Sequence, residues 1–265
     1  MLRRALEVDV EMAALAAAGS EAKAAPPPFS ACVLVPAYDA ARTLAQVVSE
    51  LRREVPQAAE GERLIVIDDG SVDGSGRIAR ELGCTVVAHD RNRGKGAALR
   101  TGLATARAMG FDVALTVDAD GQHPAASARA LLFATPERRA LVLGIRDLPG
   151  AGAPWKNQVS NRISNFFLSL FSGRSLRDTQ CGLRRYPIEE TLALGGRATG
   201  YAYEAEVILR ALDRGLALVE TDVLVVYPAE ELRVTHFDSV KDPARIVGTV
   251  VATLADLARA RRARR

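Results

Sequence analysis

Two apolar runs in this chain end in closely spaced carboxylates. Residues 113–117 run into Asp118-Ala119-Asp120-Gly121-Gln122, and residues 64–67 into Asp68-Asp69. Two carboxylates two positions apart at a strand end can both reach one divalent ion without a helix. Hard oxygen ligands suit Mg2+ or Mn2+, and an ion there would bridge a diphosphate and neutralise charge growing on a departing one. A solvated turn would explain a lone D-x-D. The second acidic pair alters the balance, because so much negative charge at one rim is costly without a cation or a bound ligand.

A third segment, Arg91-Asn92-Arg93-Gly94-Lys95-Gly96-Ala97-Ala98, is basic, glycine-rich and opens a helical stretch. Its backbone amides and Lys95 could receive a phosphate or a ribose edge; a plain helix cap is the alternative. No Ser or Thr follows Lys95 and the P-loop spacing is absent, as is a G-x-G-x-x-G fingerprint.

These segments need a scaffold that brings them to one place. The spacing predicts strands over 31–35, 64–67, 85–88, 113–117 and 140–143, and helices over 44–55, 74–82, 96–109 and 125–133. Continuous apolar strands with helical crossovers indicate an α/β fold with a mostly parallel sheet covered on both faces. Ligands of such sheets bind beyond the carboxyl ends of the strands, where Pro36-Ala37-Tyr38-Asp39, Asp68-Asp69, His89-Asp90 and Asp118-Ala119-Asp120 fall. Beyond Gly150 the alternation stops. Helices are expected over 157–171 and 202–214, and extended chain over 216–226. The chain divides into an N-terminal helix and Pro-rich linker (1–28), a catalytic domain (29–240) and a basic amphipathic helix (241–265).

Apolar residues make up 48% of the 265 and charged residues 25%, enough for a large core without disulfides or structural metal. Cys32, Cys84 and Cys181 are far apart, which excludes a C-x-x-C zinc site and fits a reducing compartment. Much of the net charge of +3 lies at the C-terminal end, where Arg259, Arg261, Arg262, Arg264 and Arg265 face only Asp256. No aromatic or groove-reading motif accompanies these arginines, so no nucleic-acid partner is expected. No apolar run approaches the ~20 residues needed to cross a bilayer, and Glu7, Asp9 and Glu11 replace a signal-peptide core. The expectation is a cytoplasmic protein, peripheral on the inner face of a membrane, with its C-terminal helix on anionic lipid.

Four segments in order resemble the GT-A family 2 glycosyltransferases, and most the dolichyl- and polyprenyl-phosphate sugar synthases. They are Val35-Pro36-Ala37-Tyr38, residues 66–74 around Asp68-Asp69-Gly70-Ser71, residues 92–98 around Lys95, and Asp118-Ala119-Asp120-Gly121-Gln122-His123-Pro124. The resemblance implies a GT-A fold and a nucleotide-sugar donor. Pro36, Ala37, Tyr38, Asp68 and Asp69 would hold base and ribose, with Lys95 and Ala119 beside them. Asp118, Asp120 and Gln122 would hold Mg2+ or Mn2+ and the diphosphate. Arg146, in Gly144-Ile145-Arg146, matches the family's G-x-R and would contact donor phosphate or sugar. Arg233 and His236 would close over the diphosphate. Ala40 departs from the acidic residue that polyprenyl-phosphate synthases often carry there.

On the acceptor side, residues 178–184 (Asp178 to Arg184) resemble the family's D-x-x-x-G-F-R segment, with Leu183 in place of Phe. Arg162, Arg174, Arg177 and Arg184 flank an apolar stretch at 166–171, as a lipid phosphate at a membrane surface would require. A buried helix with solvated arginines is the alternative. Asp120, Arg146 and Asp178 form the expected catalytic set, with Asp178 as general base if the acceptor is a hydroxyl. A lipid phosphate, largely dianionic at neutral pH, needs positioning more than a base. The resemblance implies direct displacement with inversion in either case. Three readings follow: a polyprenyl-phosphate glycosyltransferase, a transferase of the same fold acting on a hydroxyl, and a non-catalytic nucleotide-binding scaffold.

Overall fold

A computed structural model describes residues 28–227 and 241–263. The expected N-terminal helix, most of the Pro-rich linker, Arg233 and His236 lie outside these residues.

The apolar runs form β1 (Ala31–Ala37), β2 (Leu64–Asp68), β3 (Thr85–Ala88), β4 (Val113–Thr116) and β5 (Leu141–Arg146). Between and after them come α1 (Leu44–Glu54), α2 (Pro56–Ala59), α3 (Ser75–Glu81), α4 (Lys95–Ala108), α5 (Ala125–Leu132) and α6 (Trp155–Ser172). The last part holds β6 (Arg184–Pro187), α7 (Ile188–Ala193), α8 (Ala202–Asp213), β7 (Leu218–Val223) and α9 (Lys241–Ala263). Among the described residues one seven-stranded sheet runs β3-β2-β1-β4-β6-β5-β7. Strands β1, β2, β3 and β4 pair in parallel, as do β5 and β7. Apolar layers cover both faces, one around Val33, Val35 and Leu44, the other around Leu34, Leu99 and Tyr203. Two-sided burial explains why β1, β2 and β4 read as unbroken apolar runs.

Strand β6 has no such pattern, yet it lies between β4 and β5, antiparallel to both. Arg184-Arg185-Tyr186-Pro187 resembles a loop, and both arginines are fully buried. Each guanidinium replaces water with main-chain carbonyls. Arg184 donates to Cys181 O (2.8 Å), Thr179 O (2.8 Å) and Glu204 O (2.9 Å). Arg185 donates to Leu132 O (2.9 Å), Thr135 O (2.7 Å) and Glu137 O (2.7 Å), covering the carboxyl end of α5. Partners of this kind make buried arginine tolerable, with Arg185 Nε left as a buried donor without a partner among the described residues. Arg184 therefore fastens β6 to α8 and does not reach an acceptor, which corrects its expected role.

Helix α4 lies close to α8 because Gly96 has no side chain: a Cβ there would stand 2.7 Å from Tyr203 Cβ and 2.8 Å from Ala198 O. Helix α9 packs on α8 and α6. Ile246 and Val250, on the apolar side of this amphipathic helix, are buried in the core, with Leu254 packed against it.

Candidate active site

All the parallel strands end at one rim, and a cleft of about 1200 Å3 opens there. The end of β1 supplies Pro36 and Ala37 to its wall, and the loop after it Tyr38. That loop is held by the one after β2: Asp39 N donates to Ser71 Oγ (3.1 Å), Ala40 N to Ser75 Oγ (2.8 Å) and Ala41 N to Asp73 Oδ2 (2.8 Å). Asp39 takes φ +47°, a left-handed conformation that aspartate tolerates better than most residues.

The Asp68-Asp69 pair does not behave as a unit. Asp69 borders the cleft, and its carboxylate accepts from Arg93 N (3.0 Å) and Gly94 N (2.7 Å) and contacts His89 Nδ1 at 2.6 Å. It thus ties the glycine-rich segment, and the start of α4, to β2. Asp68 is absent from the cleft wall: it is buried, accepts from Ser71 N (3.0 Å) and lies against Gly76 of α3. Its expected contact with base or ribose is corrected to support of the loop beneath.

The Asp118 and Asp120 carboxylates, Gln122 and Ala119 line the same cleft. Lys95, at the first position of α4, reaches across to Asp118 (2.7 Å) and to Glu204 of α8 (3.4 Å). Burial alone would depress the Lys95 ammonium; Asp118 and Glu204 overcome it and hold it well above its ordinary value. Burial likewise raises Asp118, but Lys95 outweighs burial and keeps that carboxyl below its ordinary range. Among the described residues Asp120 has no such ion-pair partner. Burial and the neighbouring Asp118 push it up to about 6. Among the described residues Lys95 is thus shared between Asp118 and Glu204 and no cation pairs with Asp120, a deficit that a divalent ion would remove. Among the described residues no group of three or more His, Cys, Asp or Glu is placed to hold a metal ion by itself. Two carboxylates with an amide oxygen form the partial set that Mg2+ or Mn2+ completes with substrate phosphates. The residues fit such an ion.

Arg146, the last residue of β5, faces the cleft. Behind it Asp178 forms a two-point pair, Nε–Oδ2 2.7 Å and Nη2–Oδ1 3.0 Å, and accepts from the amides of Arg146 and Gln180. Burial would raise Asp178; the Arg146 guanidinium more than reverses this and holds the carboxyl below its ordinary range. With both oxygens engaged and a depressed pKa, Asp178 is a poor general base. In this arrangement Asp178 holds the Arg146 guanidinium in place.

The acceptor arginines do not assemble. Arg162 is exposed on α6, Arg174 donates to Leu218 O (2.8 Å), and Arg177 pairs with Glu220 (3.1 Å) and Asp222 (2.9 Å) at the sheet edge. None lines the cleft; Lys156 and Arg245 do. Glu204 and Tyr201 were not anticipated from sequence. Their signal was a glutamate pair, Glu204 and Glu206, on the otherwise apolar stripe of α8. His123 lies in the cleft wall and donates Nδ1–H to Leu224 O (3.3 Å); burial pushes it down to about 4, so it is neutral at physiological pH.

Gly182 backs the Lys95–Asp118 pair: an added Cβ would fall on Asp118 Oδ2 and Lys95 Nζ. Both are flexible side-chain ends, so Gly182→Ala is expected to shift the pair without unfolding the protein. Transfer should fall about 10–100-fold while the melting temperature moves by only a few degrees, read by donor-dependent transfer beside a thermal melt.

Residues 32–190, more than half the chain, match the profile of glycosyl transferase family 2. The chain belongs to that family. This glycosyltransferase is 28% identical over 230 residues to a polyprenol monophosphomannose synthase of Mycolicibacterium smegmatis, covering 82% of this chain and 84% of that protein. It is 30% identical over 221 residues to glycosyltransferase AglJ of Haloferax volcanii, covering 82% and 69%. A glucosyl-3-phosphoglycerate synthase from Mycobacterium tuberculosis, solved with Mn2+, uridine diphosphate and glucosyl-3-phosphoglycerate, superposes with a TM-score of 0.69 at 21% identity, covering 86% of this chain and 81% of that one. The expected GT-A fold is thus found, with the antiparallel β6 as its departure from a purely parallel sheet. No helix among the described residues is long and apolar enough to cross a membrane.

Proposed function

We propose that this glycosyltransferase moves a sugar from a nucleotide diphosphate sugar to a polyprenyl-phosphate-type acceptor, by direct displacement with inversion. One observation carries the reading: the cleft gathers phosphate-binding groups, and the carboxylate offered as a base for a hydroxyl acceptor is taken up by Arg146. Lys95 and Arg146 face it beside Asp118, Asp120 and Gln122, whereas Asp178 is bound up with Arg146. A hydroxyl nucleophile would need a base; a phosphate monoester, with its second ionisation near pH 6, brings its own charge. The synthase of M. smegmatis, named for polyprenol monophosphomannose, supports the same acceptor class.

Pro36, Ala37 and Tyr38 form the wall against which base and ribose would rest. Mg2+ or Mn2+, held by Asp118, Asp120 and Gln122, would supply charge neutralisation for the departing diphosphate. Lys95 would exchange part of its contact with Asp118 for a phosphate oxygen. Arg146, prevented from swinging by Asp178, would present a fixed guanidinium to donor phosphate.

The test is incubation with a panel of labelled nucleotide sugars and a short-chain polyprenyl phosphate, with Mn2+, with Mg2+ and with chelator. Metal-dependent label in the lipid phase is the expected result. Transfer to hydroxyl acceptors alone would overturn the lipid-phosphate acceptor and leave the donor side standing.

A further inference from the structure

Helix α6 carries its polarity inside out. Its buried residues are Ser160, Asn161, Ser164 and Leu168. Ser164 Oγ and Thr179 Oγ1 share a hydrogen bond of 2.8 Å, and Gln180 Nε2 donates to Ser160 Oγ at 3.1 Å. The outer face is apolar: Trp155, Ile163, Phe166 and Leu170 are 67%, 41%, 62% and 61% exposed. At 100° per residue, these four and Val159 fall within a band of about 80°. Scattered exposed apolar residues are ordinary, but a contiguous ridge of large ones marks a contact surface.

The charges on this helix indicate what it contacts. Its 18 residues include no acid, and its only charged side chains are Lys156 and Arg162. Arg174 follows just past its carboxyl end. Apolar aromatic residues flanked only by cations suit the boundary of an anionic bilayer. The ridge is also continuous with the active site, because Pro154, Lys156 and Asn157 line the cleft. Among its described residues the C-terminal helix, the other basic amphipathic element, exposes one large apolar side chain, Val251. Its Ile246 and Val250 are buried in the body, and Arg261 and Arg259 pair with Asp213 and Asp256.

We propose that the outer face of α6 is the surface by which this enzyme docks on an anionic lipid bilayer, with the cleft mouth at the headgroup level. The proposal deepens the lipid-phosphate reading, since an acceptor phosphate at the bilayer surface would then meet Lys156 as it enters.

Trp155 is the only tryptophan in the chain, so its fluorescence reports directly on this face. The full chain, without substrates, is mixed with phosphatidylcholine vesicles and with vesicles containing phosphatidylglycerol. Expected are a blue shift of Trp155 emission and co-sedimentation at least tenfold stronger with the anionic vesicles. Phe166→Glu/Leu170→Glu, and the milder Phe166→Ser/Leu170→Ser, should lose both signals with unchanged circular dichroism. Arg259→Ala/Arg262→Ala on α9 should bind within about twofold of wild type. Wild-type protein that ignores anionic vesicles, or ridge variants that still bind them, would overturn the proposal. So would a wild-type oligomer that the ridge variants convert to monomer without any vesicle binding, which makes the face a protein interface. A last pair of assays separates this inference from the acceptor reading. The ridge variants should keep transfer to a water-soluble short-chain polyprenyl phosphate and lose at least tenfold toward a vesicle-embedded one. If vesicle binding persists but no lipid phosphate accepts sugar, docking stands and the acceptor reading fails.

Discussion

Asp120→Asn is expected to reduce sugar transfer by about 10³-fold or more while making the ligand-free protein more stable at neutral pH. The two effects have one cause. Asp120 lies beside Asp118 in a half-buried rim where Lys95 already contacts Asp118 and Glu204. Burial and Asp118 push its carboxyl up to about 6 from 3.8. A carboxyl that binds its proton more tightly when folded opposes folding once ionised. That cost begins as pH rises past 3.8, grows to about pH 6 and is complete above it. The asparagine variant should therefore be more stable than wild type at pH 7–8, by on the order of 1–3 kcal/mol, and the difference should vanish as pH falls toward 4. Added Mn2+ or Mg2+ should reverse the order, because the ion stabilises wild type by mass action and the variant much less. Thermal melts across pH, with metal and with chelator, measure this without any knowledge of the sugar. A variant that loses activity and stability together at pH 8 would show that Asp120 is structural.

Much of this site could be read from residues alone, because its chemistry lies where strand ends must lie. Strands β1, β2 and β4 are buried on both faces, so their apolar runs are unbroken and the polar residues after them mark the rim. The Asp118-to-Gln122 segment, Lys95 and Arg146 all line the cleft as expected. What could not be read depends on partners distant in the chain. Strand β6 carries two arginines and a proline, and becomes a central strand because carbonyls of Thr179, Cys181 and Glu204 on one side, and of Leu132, Thr135 and Glu137 on the other, accept its guanidinium protons. Asp178 resembled a base in sequence, and only the fold shows its oxygens engaged by Arg146. The arginines around α6 suggested a phosphate site, whereas Arg177 is matched to Glu220 and Asp222 at the sheet edge. Charge counted along the chain does not tell which charges are already paired.

The Arg146–Asp178 pair yields the second large effect. Asp178 is fully buried, so Asp178→Ala would leave the Arg146 guanidinium without its counter-charge, and a loss of about 3–5 kcal/mol of stability is expected. Asp178→Asn keeps one oxygen that can accept from Arg146 Nε and should lose less. The kinetic pattern separates the orienting role from a basic one. If Asp178 only holds Arg146, the asparagine variant should raise the donor KM and lower kcat/KM, yet leave the pH at which activity falls on the acid side unchanged, since the carboxyl already titrates below the usual range. If Asp178 removed a proton from the acceptor, the same variant would lose kcat, keep the donor KM and shift that acid limb. A double variant, Arg146→Met/Asp178→Leu, completes the argument. Replacing a buried pair by apolar side chains of similar size is often neutral for folding, so its melting temperature should recover much of what Asp178→Ala lost. Transfer should not recover with it, because the recovered stability comes from packing, and the cleft would still lack the cation that pairs with Asp178.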